Sequence, residues 1–281
     1  MQYDLMHLSV LRRSGGPLLD LMEEGKDVVP TREEWLRSIL SKAIPFTHRK
    51  GLYHYAPAAG LDPNIIVARI GRRTAVTENA PPEENLNEVT RTQWLASVVL
   101  IDPRHHDQGQ KAAMEMKSKV GGPLPLLRSL AAKINSSDPP EPYVLQVSNI
   151  AEEATFWTFV SANKGQIVEA SFELIAPNMF AQENDFDKEM QALKDEVKIQ
   201  KMRVDLQSDD GLNLNTKRVE NTATYAAKGG GVIKAKTKSG KRFNSSTKSK
   251  KVSVPAAPKP KDGQLVETVV GWIKRSIGTI F

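Results

Sequence analysis

The sequence predicts an α+β protein with two lobes, built from mixed or antiparallel sheets with flanking helices and an amphipathic C-terminal helix. Segments rich in valine, isoleucine and threonine indicate strands, and apolar residues that recur every three or four positions indicate helices. A polar, proline-containing stretch at 135–142 separates the two halves. The expected parts are an N-terminal α+β domain (1–138), a C-terminal basic α+β domain (139–248), a Lys/Pro/Ser linker (249–263) and an amphipathic helix (264–281).

The N-terminal half opens with a weakly alternating segment, Tyr3–Leu11, that predicts a strand. Thr31 and Glu34 fit a capping box, in which each side chain accepts a hydrogen bond from the backbone of the other residue, so a short helix begins here. The remaining expected elements of this half are strands at Ile65–Thr77 and Trp94–Ile101 and helices at Asp107–Val120 and Pro123–Ile134.

In the C-terminal half, Gln166–Ile175 alternates between an apolar face and a face that carries Glu169 and Glu173, which predicts a half-buried strand. A turn signal before it, at 162–165, predicts that this strand pairs back on its predecessor. The other expected elements are strands at Tyr143–Val147, Thr155–Ser161 and Met202–Leu206, helices through Phe186–Val197 and Val219–Ala226, and a hairpin of Val232–Lys236 with Arg242–Ser245.

The composition excludes several classes of function. The 281-residue chain has no cysteine, which rules out disulfides, iron–sulfur clusters, zinc–thiolate sites and cysteine nucleophiles. It has no run of about 18 uncharged apolar residues, the length that a membrane-spanning helix needs. Residues 1–5 lack the basic region and apolar stretch of a signal peptide, so we expect a cytosolic protein.

Positive charge is concentrated near the C-terminus. The chain carries a formal charge of +6, but residues 217–261 contain 13 basic residues and one acid, a formal charge of +12, and the remainder is acidic. Such asymmetry is typical of contact with a polyanion, either nucleic acid or an anionic membrane surface. A solvated lysine-rich segment that only aids solubility is the alternative.

The expected hairpin places three lysines, Lys234, Lys236 and Lys238, on one face, because strand side chains alternate. Lysine makes a point-charge contact with phosphate, and each contact releases a condensed counterion, which gives affinity without sequence preference. Ser239-Gly240 lets phosphate approach the backbone, and Ser245 adds a hydroxyl. The predicted nucleic-acid-binding residues are Lys228, Lys234, Lys236, Lys238, Lys241, Arg242, Asn244 and Lys248.

A second cluster, Asp102-Pro103-Arg104-His105-His106-Asp107, follows an expected buried strand. Asp102, His105, His106 and Asp107 are weak candidates for a metal-dependent nuclease or toxin-like effector, because paired imidazoles and carboxylates bind divalent metals and transfer protons near neutral pH. Adjacent strand side chains point to opposite faces, and the spacing matches no established metal motif. An ordinary turn is therefore favoured, and we assign no catalytic residue, metal or cofactor.

A short aromatic–basic patch, His48–Tyr55, has two interpretations. Tyr53 and Tyr55 can stack on bases beside Lys50, or they can share the inner face of a strand and fill the core. The core interpretation is favoured.

The last 16 residues, 266–281, place their apolar side chains on one helical face. This amphipathic helix docks on the core or a dimer partner, or it binds a membrane surface through Trp272 and the neighbouring basic residues. A peripheral membrane or scaffold protein is therefore a further alternative function.

One stretch, 169–245, resembles the RexA-type proteins of prophage exclusion systems and related phage-defence proteins. Phe172-Glu173-Leu174-Ile175-Ala176-Pro177-Asn178 is followed by an acidic helix, a strand with Asp209-Asp210-Gly211, a helix ending in Tyr225…Gly229 and a basic strand.

This resemblance implies a cytosolic homodimer that binds double-stranded DNA without sequence preference and helps a host to resist phage. The N-terminal half is similar to that family only in being α+β, and residues 249–281 are not part of the pattern.

Overall fold

A computed structural model describes residues 1–13, 30–58, 64–104, 110–150, 153–175, 185–199, 201–227, 231–247 and 250–253. Within these residues the chain forms an eight-stranded and a four-stranded antiparallel sheet together with five α-helices, which confirms the α+β class. The two sheets form two lobes, and each sheet has helices packed against it, as the sequence predicts.

The strands are β1 (Gln2–Arg12), β2 (Ile44–His48), β3 (Gly51–Pro57), β4 (Ile66–Asn79), β5 (Glu88–Asp102), β6 (Gln110–Glu115), β7 (Tyr143–Asn149), β8 (Ile167–Ile175), β9 (Lys201–Gln207), β10 (Gly231–Thr237), β11 (Arg242–Asn244) and β12 (Lys251–Ser253). The helices are α1 (Arg32–Leu40), α2 (Pro123–Asn135), α3 (Glu153–Ala162), α4 (Asp185–Val197) and α5 (Lys217–Tyr225).

The first sheet has the order β12-β1-β6-β5-β4-β3-β2, and β7 pairs with β1 farther along the same edge as β12. Helix α2 packs against both β7 and β2, which lie at opposite ends of this order. The sheet therefore curls around α2, and the helix buries Leu126, Leu130 and Ile134 against Tyr55 and Val99 of the inner face.

The free edge of β7 is covered by side chains of α2. The Asn135 amide donates to the Leu145 carbonyl and accepts from the Leu145 N–H, both at 2.8 Å. Arg128 Nε donates to the Val147 carbonyl at 3.0 Å. These side chains bind the backbone groups that would otherwise be open to another strand.

The capping box that begins α1 is confirmed. The Thr31 hydroxyl accepts from the Glu34 N–H at 3.2 Å, and the Glu34 carboxylate accepts from the Thr31 N–H at 2.8 Å. The hydrogen bonds from Thr31 hold the pKa of Glu34 below its ordinary value. The helix then buries Trp35 and Leu36 in the core.

The second sheet has the order β11-β10-β8-β9. Its apolar face carries Phe172, Leu174 and Phe243, which pack in one cluster with helix residues such as Phe156 of α3 and Met190 of α4. Because side chains alternate along a strand, the opposite face of this sheet receives the intervening polar residues.

Two expected elements are wrong. Asp107–Val120, expected as a helix, contains β6, which is hydrogen-bonded between β1 and β5; partners on both sides override the helix-forming lysine, alanines and methionine. Thr155–Ser161, expected as a strand, lies in α3, so the expected pairing of the 166–175 strand back on it is also wrong; β8 pairs with β9 and β10 instead. Phe156 and Val160 are four residues apart, so both reach the core from one helical face.

The boundary between the sheets also differs from the expected one at residue 138. Strand β7 pairs with β1, so the chain leaves the first sheet after Asn149. Residues 251–253, expected in a linker, return to form β12 on β1. Asn149 Nδ2 donates to the Ser246 carbonyl, which joins the two lobes. The expected helix at 264–281 lies outside the described residues.

Candidate nucleic-acid interface

The second sheet presents a polar face on the side opposite its helices. We call this surface the polar sheet face; it consists of Glu169, Ser171, Glu173, Arg203, Asp205, Gln207, Lys234, Lys236, Arg242 and Asn244. Most of these residues line a groove of about 650 Å³. The face is polar because each of its four strands directs its intervening side chains away from the helices.

Two of the predicted phosphate ligands on this face are ion-paired. Lys234 Nζ lies 2.6 Å from Glu173 Oε1, and Lys236 Nζ lies 2.7 Å from Glu169 Oε1. The four side chains are between 39% and 46% exposed. The β8–β10 register places Lys236 directly opposite Glu169. Two of the five lysines and arginines proposed for the hairpin are thus neutralised by carboxylates of the neighbouring strand.

The other three basic residues, Lys238, Lys241 and Arg242, form what we call the hairpin tip. All three are exposed. The turn that holds them depends on Gly240, whose φ of +83° suits glycine, and the Lys241 N–H donates to the Thr237 hydroxyl at 3.0 Å. Lys238 lies in this turn instead of on the strand, because β10 ends at Thr237.

A neighbouring turn adds a further cation. The Lys238 N–H donates to the Gln166 carbonyl at 2.8 Å, which brings the 163–166 turn and its exposed Lys164 beside the hairpin tip. The acidic turn at 209–210 adjoins the 163–166 turn, because the next residue, Gly211, approaches the backbone of Gly165; both of its aspartates are exposed. Within the described part of the chain, no carboxylate forms an ion pair with Lys164 or with the hairpin tip.

The remaining predicted phosphate ligands either form hydrogen bonds within the protein or lie outside the described residues. Asn244 Oδ1 accepts from the Ser246 N–H and hydroxyl, at 2.9 and 2.8 Å. Ser245 is buried and its hydroxyl accepts from the Ile233 N–H at 2.8 Å, so the expectation that it contacts phosphate is wrong. Lys228 and Lys248 lie outside the described residues.

Of the alternative site at 102–107, the structure describes only residues 102–104. Asp102 is fully buried at the end of β5, and Arg104 pairs with it, Nη2 to Oδ2 at 2.7 Å and Nε to Oδ1 at 3.0 Å. The hydrogen bond to Asp102 raises the pKa of Arg104. His105, His106 and Asp107 lie outside the described residues, and the residues that the structure describes contain no group of three or more metal-ligating side chains.

Both tyrosines of the aromatic–basic patch belong to the core. The Tyr53 hydroxyl donates to the Val120 carbonyl and the Tyr55 hydroxyl to the Leu40 carbonyl, both at 2.9 Å. Burial raises the pKa of Tyr55 above its ordinary value. The two rings therefore face α1 and α2 and are not available for stacking on bases.

Chemically, the hairpin tip suits contact with a polyanion, because its charges project from a hydrogen-bonded turn and no carboxylate of the described residues forms an ion pair with them. No helix of the described residues has the length and apolar character needed to cross a bilayer. Comparison with protein-family models, with curated proteins and with solved structures found no match for this chain.

Proposed function

We propose that the protein binds the backbone of double-stranded DNA without sequence preference, through the hairpin tip and the adjoining polar sheet face. The observation that carries the proposal is the set of exposed cations Lys238, Lys241 and Arg242 on one ordered hairpin, next to Lys164. Positive side chains on a hydrogen-bonded turn, without carboxylate ion pairs among the described residues, favour phosphate over any neutral ligand.

The composition of the surface supports backbone contact in preference to base recognition. The polar sheet face carries no aromatic side chain on which a base can stack. Lysine outnumbers arginine at the hairpin tip, and lysine lacks the fork that reads guanine in the major groove. Lys234 and Lys236 contribute less to phosphate binding than the hairpin tip does, because each forms an ion pair with a glutamate.

The resemblance of 169–245 to RexA-type proteins supports the choice of duplex DNA and extends the proposal to a homodimer that acts in phage defence. A dimer carries two hairpin tips and therefore twice the number of phosphate contacts. Plaque counts on cells with and without the protein test the defence role, and light scattering after gel filtration tests the dimer.

The DNA proposal is tested by fluorescence anisotropy of a labelled random-sequence duplex with the full chain. The variant Lys238→Gln/Lys241→Gln/Arg242→Gln removes three cations that form no ion pair with a carboxylate of the described residues. Each lost phosphate contact lowers the affinity about eightfold at about 0.1 M salt, so we expect a total loss of more than a hundredfold. The matched control changes three exposed lysines of the first lobe, Lys42, Lys119 and Lys133, to glutamine.

Two results would count against the proposal. If the control weakens binding as much as the tip variant does, only net charge matters and the hairpin tip is not the interface. If the tip variant binds as tightly as the wild-type protein, the phosphate contacts lie elsewhere in the chain.

A further inference from the structure

The outer face of the first sheet carries a second surface, which we call the Trp94 patch. It consists of Leu52 and His54 of β3, Arg69 and Arg73 of β4, and Trp94 of β5. Trp94 is 58% exposed and Leu52 is 59% exposed, which is unusual for large apolar side chains in strands. The strand register places these five side chains on the same face of the sheet, opposite the one that buries Tyr53, Tyr55 and Ile70.

The register brings an aromatic pair together on this face. His54 lies opposite Gly71, and Arg73 lies opposite Trp94. The His54 and Trp94 rings contact each other with centroids 5.2 Å apart and an interplanar angle of 83°. Gly71 lies between their strands without a side chain, and an added Cβ would stand 3.0 Å from the Leu95 carbonyl oxygen. On this face β4 therefore contributes no side chain between Arg69 and Arg73.

The charge of the patch is positive. Arg69 and Arg73 are exposed, and within the described part of the chain no carboxylate pairs with either one. Lys117, which donates to the Ala96 carbonyl at 2.9 Å, adds a third cation near Trp94, although it also pairs with Glu115. An exposed aromatic ring flanked by arginines is complementary to a base with its neighbouring phosphates.

We propose that the Trp94 patch binds single-stranded nucleic acid, with a base stacked on Trp94 and the flanking phosphates contacted by Arg69 and Arg73. The two arginines are four residues apart on β4, about 13 Å along the strand, so the ligand runs along this strand. In a duplex the base faces are stacked on each other and cannot stack on Trp94. The ligand of this patch is therefore single-stranded, unlike the duplex proposed for the hairpin tip. Two arginines with no carboxylate partner among the described residues favour an anionic ligand.

The test is fluorescence anisotropy of a labelled oligothymidylate with the full chain. Trp94→Ala is expected to weaken binding at least tenfold, since each stacked base contributes substantially to affinity. Trp94→Phe keeps an aromatic ring and is expected to retain part of the affinity. Arg73→Gln is expected to weaken binding severalfold. Arg91→Gln is the matched control, because Arg91 is exposed on the opposite face of the same hairpin.

The proposal is overturned if Trp94→Ala binds oligothymidylate as tightly as the wild-type protein, or if Arg91→Gln weakens binding as much as Arg73→Gln. It is also overturned if Trp94→Ala changes only the oligomeric state, because the patch is then an interface between copies. Thermal unfolding of each variant is the control that checks whether these exposed substitutions leave the fold intact.

Discussion

Replacing Glu169 and Glu173 by glutamine is expected to raise the affinity for duplex DNA. Each carboxylate holds one lysine of the polar sheet face, at 2.7 Å for Lys236 and 2.6 Å for Lys234. Glutamine keeps the size and hydrogen-bonding capacity of the side chain but removes the negative charge. Both lysines then become available to phosphate, on the face that adjoins the hairpin tip.

The size of the effect follows from counterion release. Each additional phosphate contact steepens the dependence of log K on log salt by about 0.9, which is about eightfold in affinity at about 0.1 M salt. Two released lysines therefore give a gain of up to about 60-fold. The loss of stability is small, because exposed ion pairs contribute about 0.2–1 kcal/mol each.

Anisotropy of a labelled duplex measures this gain over a range of salt concentrations. The control variant, Glu83→Gln/Glu84→Gln, makes the same change in net charge at an exposed turn of the first lobe. An equal gain in both variants would show that only net charge matters. An unchanged or lower affinity in Glu169→Gln/Glu173→Gln would refute the assignment of the polar sheet face to the interface.

Two further predictions concern stability. Asn135→Ala removes both hydrogen bonds to the Leu145 backbone and is expected to lower the free energy of unfolding by about 1–3 kcal/mol; urea denaturation measures it, and Ser136→Ala, at an exposed position, is expected to have little effect. Because the pKa of Glu34 is lowered in the folded state, its contribution is complete well above its unfolded pKa of about 4.3 and is lost as the pH falls. The melting temperature of wild-type protein is therefore expected to fall more on acidification than that of Glu34→Gln, and parallel falls would contradict the role of the capping box.

Much of the fold was predictable because local signals and tertiary contacts agree. The Thr31 capping box and the alternation at 167–175 appear in the structure as the sequence predicts. The same alternation already showed Glu169 and Glu173 on one face. The pairing of these glutamates with the lysines of β10 was missed because strand register depends on contacts distant in sequence.

The errors have a common physical cause. Gln110–Glu115 has the composition of a helix and Thr155–Ser161 that of a strand, but each adopts the opposite structure where burial against distant elements outweighs local propensity. The Trp94 patch was not predictable from sequence, because it joins residues of three strands whose register depends on contacts distant in sequence. An alternating strand that buries two tyrosines necessarily turns the residue between them outward.

The most direct test of the central claim is the affinity of the full chain for a labelled random-sequence duplex across a salt series, with and without magnesium. We predict that affinity falls steeply with salt, that the probe stays intact, and that the hairpin-tip variant shows a log–log slope shallower by about 2.7 than the wild-type protein. Binding that does not depend on salt, equal slopes for the two proteins, or magnesium-dependent cleavage of the probe would contradict it.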